Sequence, residues 1–259
     1  MDKNMNFIHP EAKLGENVKV GRYSFIDENV EIGDNTIIYP NVTILSGTKI
    51  GKNCKIYPGA VLGGDPQDVT YKGEETYAII GDNVIIREFV TIHRGTVRSG
   101  KTTVGDDCFL MAYVHIAHDC SLGKSCYFAN GVNLGGHVHV DDYVTIGGLV
   151  PVHQFVHIGK HVMIGGGSLV RKDVPPYIKA AREPISYVGV NSIGLRRRGF
   201  TNEQIEHIRD IYRILYVEHV NVSKAVKVIK ENIPDSEFKK EVLDFIANSE
   251  RGLIRGLQV

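Results

Sequence analysis

The 259-residue chain contains no tryptophan, only four cysteines and no excess of charge of either sign. Thirty lysines and arginines balance thirty aspartates and glutamates, so the overall positive field of a nucleic-acid-binding protein is missing and no nucleic-acid partner is expected. No segment approaches the roughly 18 consecutive apolar residues of a membrane span, and the first ten residues lack the apolar core of a signal peptide. We therefore expect a cytoplasmic protein without an integral membrane segment.

The chain is rich in glycine, with 28 residues, and its large apolar residues recur every six positions. In steps of six from Ile8 to Val170, large apolar residues occupy 25 of the 28 positions. Neither an α-helix, with its period of 3.6, nor a simple strand, with its period of 2, gives this pattern. It is typical of a parallel β-helix built from hexapeptide repeats, in which three hexads make one 18-residue coil.

The three exceptions to the period are Asp68, Glu74 and Arg98. They indicate two loops, at about 63–79 and 94–103, that leave the repeat and rejoin it in phase. We predict a β-helix domain over residues 1–175, which would carry the catalytic site, an extended connection over 176–199 and a C-terminal helical domain over 200–259. In the last of these, Thr201 and Gln204 form a capping box that opens a helix, and further helices are predicted at about 223–232 and 235–248.

Cysteines and histidines occupy different positions of the hexad. All four cysteines lie at the fifth position, where small residues pack beneath the coil, which predicts buried free thiols. Histidines avoid the first and fifth positions and should project from the outer walls and corners. Because residues 18 apart stack on neighbouring coils, Gly136 should lie over His118 and His137 over Asp119.

This histidine cluster allows three interpretations. A histidine facing a glycine amide suits a general base beside an oxyanion donor, as acyl transfer requires. Three imidazoles, from His93, His115 and His118, would instead suit an open zinc site of a hydratase of the β-helix carbonic anhydrase type. The third interpretation is a scaffold without chemistry. Flat prism walls also favour association into a symmetric trimer with the histidines in clefts between subunits.

Several motifs together resemble one family, the UDP-N-acetylglucosamine O-acyltransferases of lipid A biosynthesis. The most specific are TIHRGTV (91–97), HIAHDC (115–120), VHQF (152–155) and LRRRGF (195–200). The resemblance implies a left-handed parallel β-helix, a homotrimer and active sites between subunits. It also implies transfer of an R-3-hydroxyacyl chain from the phosphopantetheine of acyl carrier protein to the glucosamine 3-hydroxyl of UDP-N-acetylglucosamine, with no other cofactor and no metal.

By the same resemblance, His118 is the general base, Asp119 is its partner and the Gly136 amide stabilises the oxyanion. Imidazole suits this task because its ordinary pKa of about 6.5 lies near working pH. Neighbouring residues of a strand point in opposite directions, so Asp119 reaches His118 only if the backbone bends between them. The sequence leaves open whether Asp119 orients His118 or pairs with His137.

The resemblance also assigns binding residues. Those expected to bind or line the sugar-nucleotide cleft are Gln67, Asp68, His115, His137, His153, Gln154, Asn191 and Arg197. Gly166 matches the position that limits acyl-chain length, and its missing side chain predicts a long chain. Residues 171–259 carry 16 basic and 12 acidic side chains, a net charge of +4 that suits docking of an acidic carrier protein.

Two positions depart from the family pattern. Thr70 stands where relatives often carry lysine, and Ile193 stands where they often carry glutamate. Both changes put contacts to the nucleotide in question. The sequence also leaves open the acyl-chain length and whether the acceptor sugar bears a hydroxyl or an amine at its 3-position.

Overall fold

A computed structural model describes residues 5–218 and 221–256 of the chain. The short strands predicted by the six-residue period wind into three parallel sheets that form the faces of a prism. The first sheet contains Phe7–Ile8, Phe25–Ile26, Thr43–Ile44, Val61–Gly64, Thr91–His93, His115–Ile116, Asn133–Leu134 and Pro151–Val152. The second contains Lys13–Leu14, Glu31–Ile32, Thr48–Ile50, Tyr77–Ile80, Lys101–Val104, Ser121–Leu122, His139–Val140 and His157–Ile158.

The third sheet has ten strands because a β-hairpin extends it. Its strands are Lys19–Val20, Ile37–Ile38, Lys55–Ile56, Ile85–Ile86, Phe109–Leu110, Tyr127–Phe128, Thr145–Ile146, Met163–Ile164, Ile178–Ala181 and Ser186–Val190. We call the turn from the first sheet to the second the first corner, that from the second to the third the second corner, and that from the third back to the first the third corner.

The apolar position of each hexad forms the core of the prism. From Ile26 onward these side chains are at most 5% exposed, because each points inward and packs on its equivalents in the neighbouring coils. Most coils pair residues three hexads apart, such as Ile26 with Ile44. Leu62 instead pairs with Ile92, five hexads on, and Ile92 with Ile116, four hexads on. The first loop thus adds two whole hexads and the second adds one, which is why the period resumes in phase.

The four cysteines are free and buried, as predicted from their place in the hexad. Burial raises the pKa of the Cys54 thiol to about 11 and that of the Cys120 thiol to about 12. Thiols that stay protonated at neutral pH are poor nucleophiles and poor metal ligands. They act as small apolar side chains in the core.

The segment 176–199 is not the extended connection predicted from the sequence. It contains the antiparallel hairpin Ile178–Ala181 and Ser186–Val190, followed by helix α1, Ser192–Arg197. Ile178 and Ala180 are buried while Lys179 between them is not, which is the period-2 alternation of a strand. The prolines of the segment favoured an extended connection over a strand in the prediction. The domain limits themselves stay predictions.

Three longer helices follow. They are α2, Asn202–Arg213, α3, Val222–Asn232, and α4, Glu237–Ala247; α2 continues into a π-helical turn, Ile214–Glu218. The capping box at the start of α2 is confirmed, since the Gln204 amide donates to Thr201 Oγ1 at 3.2 Å and the Thr201 amide to Gln204 Oε1 at 2.8 Å. Among the described residues, no helix combines the length and the apolar character needed to cross a bilayer.

Candidate active site

Both inserted loops emerge at the first corner. Residues 65–76 connect Val61–Gly64 to Tyr77–Ile80, and residues 94–100 connect Thr91–His93 to Lys101–Val104. His118, Gly136 and Gln154 occupy equivalent turn positions of the three following coils at this same corner. The loops therefore lie beside the histidines that the sequence singled out and cover them.

The backbone bends at Asp119 in the way that a His118–Asp119 contact requires. Asp119 has a φ of 60°, the left-handed conformation that its short polar side chain tolerates in a turn. His118 Nδ1 lies 2.8 Å from Asp119 Oδ2, whereas His137 Nε2 lies 3.7 Å from the same oxygen. Both His118, 9% exposed, and Asp119, 8% exposed, are buried. The stronger contact of the carboxylate is thus the one to His118.

The loop 94–100 supplies further donors to Asp119. The Thr96 amide donates to Oδ1 at 2.9 Å, the Thr96 hydroxyl to Oδ2 at 2.8 Å, and the Ser99 hydroxyl also donates to Oδ1. Burial alone would raise the pKa of Asp119, but the hydrogen bonds from Ser99, His118 and Thr96 outweigh it and lower the pKa to about 2. Asp119 is therefore a carboxylate at neutral pH and holds the Nδ1 proton of His118.

Gly136 leaves the space that the His118 ring occupies. A Cβ atom at Gly136 would lie 2.6 Å from His118 Cε1 and 2.7 Å from Nε2, closer than real side chains approach. The stacking predicted from the repeating coil is therefore present. Among the described residues, no acceptor is paired with the Gly136 backbone N–H. A histidine nitrogen and an unengaged amide thus lie next to each other at this corner.

A cavity of about 510 Å³ opens on this group. Its lining residues are Gln67, Asp68, Val69, Thr70, Thr96, Val97, Arg98, His118, His137, Gln154 and Phe155. The structure thus brings Gln67, Asp68, His137 and Gln154, all predicted to bind the sugar nucleotide, around His118. The volume falls within the range of small-molecule sites.

Thr70, which stands where relatives often carry lysine, holds the Asp68 side chain in place. Its backbone amide donates to Asp68 Oδ1 at 2.8 Å and its hydroxyl at 2.7 Å. These two bonds lower the pKa of Asp68 and hold the carboxylate at the mouth of the cavity. The Asp-x-Thr spacing, which favours such local turns, was the signal available in the sequence.

Phe155 and Arg98 are among the lining residues that the sequence did not point to. Phe155 stacks on the His137 ring at 4.6 Å with an interplanar angle of 2°, and Arg98 lies over the Phe155 ring at 5.0 Å. Phe155 occupies the position of His137 one coil further along the chain, so the coil arithmetic contained this stack. Arg98 interrupts the six-residue period, and this interruption was its only signal in the sequence. Burial lowers the pKa of His137, which favours its neutral form.

His115 and His153 lie near the cavity but do not line it. The His115 Nδ1 atom is 2.7 Å from Thr91 Oγ1, and burial, followed by the neighbouring His93, lowers its pKa to about 4. His153 Nδ1 is 3.0 Å from the Gln154 carbonyl oxygen and 3.2 Å from an Arg251 guanidinium nitrogen. His115 belongs to the first sheet, whereas His153 lies in the turn that follows Pro151–Val152 at the first corner.

The proposed zinc set of His93, His115 and His118 does not form a ligand cluster among the described residues. His93 Nδ1 is engaged with the Asp65 carbonyl oxygen at 2.5 Å, and the His93 and His115 ring centroids are 5.2 Å apart. The potential ligand group at this corner is His118, Asp119 and His137. Its carboxylate already accepts hydrogen bonds from the loop, so the corner is better suited to holding a proton than an ion.

Asn191, Arg197 and Gly166 lie at other corners of the same chain. The Asn191 Oδ1 atom accepts from the Gly194 amide at 3.3 Å and caps α1, and its Nδ2 donates to the His161 carbonyl at the second corner. Arg197 is exposed on α1, and Gly166 lies in a turn at the third corner. A single chain therefore does not bring these three residues together with His118.

Two protein-family models match the chain and define the class of protein to which it belongs. The family of bacterial transferase hexapeptide repeats matches residues 29–64 and 101–136, and the second domain of the UDP-N-acetylglucosamine O-acyltransferases matches residues 173–254. The chain is thus a hexapeptide-repeat transferase, and its fold class, a left-handed parallel β-helix with a C-terminal α-helical part, is as predicted.

Similar proteins and solved structures identify one family within this class. The acyl-(acyl-carrier-protein)–UDP-N-acetylglucosamine O-acyltransferase of Sulfurihydrogenibium sp. is 54% identical over 95% of this chain and 93% of its own, and that of Chlorobaculum tepidum is 58% identical over 92% and 90%. The UDP-N-acetylglucosamine acyltransferase structure from Bacteroides fragilis aligns with a TM-score of 0.96 and 50% identity, covering 98% of this chain and 100% of that one. The chain belongs to the UDP-N-acetylglucosamine O-acyltransferase family.

Proposed function

We propose that the chain transfers an R-3-hydroxyacyl group from acyl carrier protein to the 3-hydroxyl of UDP-N-acetylglucosamine, the first step of lipid A biosynthesis. Membership of the acyltransferase family supports the reaction and argues against the zinc hydratase. The observation that carries the mechanism is the buried His118–Asp119 pair facing Gly136. His118 provides a base that lines the cavity, Asp119 provides the carboxylate that orients it, and Gly136 provides an amide donor beside it.

In this mechanism His118 Nε2 removes the proton of the sugar hydroxyl as its oxygen attacks the thioester carbonyl. Asp119 holds the Nδ1 proton, which leaves Nε2 unprotonated and facing the cavity side of the ring. The carboxylate also stabilises the imidazolium that forms. The Gly136 N–H donates to the oxyanion of the tetrahedral intermediate. Collapse of the intermediate breaks the C–S bond, and the imidazolium returns its proton to the pantetheine thiolate.

Substrate binding is assigned to the groups around this centre. Gln67 and Asp68 contact the glucosamine portion from the loop, with Thr70 keeping Asp68 in place. His137 and Gln154 complete the cavity wall. The donor is carried on the phosphopantetheine of acyl carrier protein, and the reaction needs no metal or other cofactor.

Residues at the other corners reach the cleft if the enzyme is a homotrimer. Asn191 and Arg197 would then hold the uridine diphosphate and Gly166 would face the acyl chain, each across a subunit boundary from His118. An apolar ridge along the third corner supports such association, since Tyr113 and Leu149 are 64% and 74% exposed. Light scattering should give three times the 28.7 kDa of one chain, and a monomer would contradict the shared cleft.

The C-terminal region is proposed to receive the carrier protein. Its net charge of +4 over residues 171–259 suits an acidic partner, although the whole chain is neutral. The four thiols of the chain, all free, support a reducing, cytoplasmic location. Carrier-protein binding should weaken as salt is raised, because exposed charges are screened over about 8–10 Å at 0.10–0.15 M ionic strength.

The decisive experiment is transfer from 3-hydroxyacyl carrier protein to UDP-N-acetylglucosamine by the purified protein. General-base catalysis is typically worth about 10²–10⁴-fold, so His118→Ala should lose at least 100-fold in kcat. A variant with undiminished activity would refute the assignment of the base. Parallel reactions with the 3-amino acceptor and with several chain lengths determine the acceptor atom and the acyl length, for which Gly166 predicts a long chain.

A further inference from the structure

A second group of imidazoles and a carboxylate lies on the outer wall of the second sheet. His139 and His157 are register partners on neighbouring coils, and Asp141 follows His139 at the edge of the second corner. None of these residues lines the cavity at the first corner. Their side chains are 51%, 30% and 31% exposed, in the order His139, His157, Asp141, so an ion can reach them from solvent.

Two imidazole nitrogens approach one carboxylate oxygen of Asp141. His139 Nε2 lies 2.9 Å and His157 Nε2 lies 3.0 Å from the same atom, Asp141 Oδ1. The two rings are 4.6 Å apart between centroids and are steeply inclined, at 69°. The three side chains thus form a compact group of potential metal ligands.

This donor set is one that divalent transition metals prefer. Zinc binds imidazole nitrogen and carboxylate oxygen at about 2.0–2.2 Å in a tetrahedron, which sets ligand atoms roughly 3.3 Å apart. The two observed nitrogen–oxygen separations, 2.9 and 3.0 Å, need only a few tenths of an ångström of opening. All three ligand atoms lie within 4.8 Å of one another, so small side-chain movements bring them around one ion. Two nitrogens and one oxygen favour zinc-class ions over magnesium or calcium, which prefer oxygen ligands.

We propose that His139, Asp141 and His157 bind one zinc-class divalent ion, with water as the fourth ligand. Each imidazole coordinates through Nε2 and carries its proton on Nδ1, so the rings remain neutral and the carboxylate supplies the one negative charge. The site is separate from the reaction centre and departs from the metal-free chain expected from the sequence. It does not depend on the proposed acyl transfer.

The ion would join two parts of the fold. His157 packs on the ring of Phe245 in α4, with centroids 4.5 Å apart, and the His157 amide donates to Asp173 Oδ1 at 2.8 Å. Asp173 Oδ2 accepts from the Ser249 hydroxyl and the Arg251 amide, which follow α4. An ion that fixes the His157 ring therefore also fixes the surface on which α4 rests, a structural rather than a catalytic role.

The test begins with metal-free protein titrated with Co²⁺, whose visible spectrum reports tetrahedral ligation. We expect one equivalent to bind and Zn²⁺ to displace it. The double variant His139→Ala/His157→Ala should lose this spectrum. His118→Ala is the matched control, because it breaks the other histidine–aspartate group, and it should keep the spectrum. No tetrahedral signal in the parent protein, or loss of the signal in His118→Ala alone, would overturn the proposal.

Folding of the variants is checked independently. The double variant should retain acyl transfer, since neither residue belongs to the cavity. Asp141→Asn keeps the size of the side chain and removes its charge, and it should weaken Zn²⁺ binding at least tenfold. Saturating Zn²⁺ should raise the Tm of the parent protein by several degrees and leave that of the double variant unchanged. An equal rise in both proteins would place the ion elsewhere and refute the site.

Discussion

Alanine at Gly136 is expected to lower kcat by about 100-fold without unfolding the protein. The added Cβ would lie 2.6 Å from His118 Cε1, whereas an ordinary contact is at least 3.4 Å. The imidazole must therefore move by close to 1 Å. A misplacement of about 1 Å typically costs 10²-fold in rate, equivalent to about 2.7 kcal/mol in activation free energy.

Stability should change little in this variant. Gly136 does not have a positive φ, so alanine is compatible with the backbone. Its lower entropy in the unfolded chain is worth about 0.4–1 kcal/mol and offsets part of the strain. Gly148→Ala, in an equivalent turn position at the third corner where the nearest atom is 3.3 Å away, is the matched control for stability and should show a similar Tm.

A double-mutant cycle identifies the cause of the loss. If the alanine acts by displacing His118, then Gly136→Ala should cost little further activity in a His118→Ala background. Steady-state transfer from hydroxyacyl carrier protein measures all four proteins. Activity within tenfold of the parent for Gly136→Ala, or full additivity of the two changes, would refute the proposed packing of base against amide.

Three other changes test the surroundings of the site. Asp119→Asn should lower kcat by at least 100-fold with little effect on KM, because the amide no longer fixes the His118 tautomer, and an unchanged kcat would contradict the pairing. The pKa of Asp119 is lowered from 3.8 to about 2, so the ionised carboxylate stabilises the folded protein by about 2 kcal/mol at most. This stabilisation is present above pH 4 and is lost as the pH falls towards 2. Between pH 5 and pH 3, the free energy of unfolding in urea should therefore fall less in Asp119→Asn than in the parent protein. Thr70→Val should raise the KM for UDP-N-acetylglucosamine several-fold by releasing Asp68, and a KM unchanged from the parent would remove that role. Ile116→Ala, in the fully buried core, should cost about 2–5 kcal/mol by chemical denaturation, and a cost below 1 kcal/mol would contradict its packing.

The coil and its stacking could be predicted because the hexad is a local code with a fixed repeat. An apolar residue every six positions can be buried only if the chain turns at each corner, and three hexads per coil then place Gly136 over His118. The insertions did not disturb this arithmetic because they add whole hexads. Sequence period therefore determined the fold, the buried cysteines and the core of the candidate site.

Other features depend on contacts that no local pattern encodes. Whether Asp119 serves His118 or His137 was decided by a left-handed turn and by loop 94–100, whose donors fix the carboxylate from a distant part of the sequence. The hairpin at 178–190 forms because the open end of the third sheet offers unpaired backbone groups. His139 and His157 become a ligand pair only when register brings their nitrogens to one oxygen of Asp141. The hexad placed these residues on neighbouring coils and pointed them outward, but their contacts with one another were decided by side-chain conformation in the folded protein.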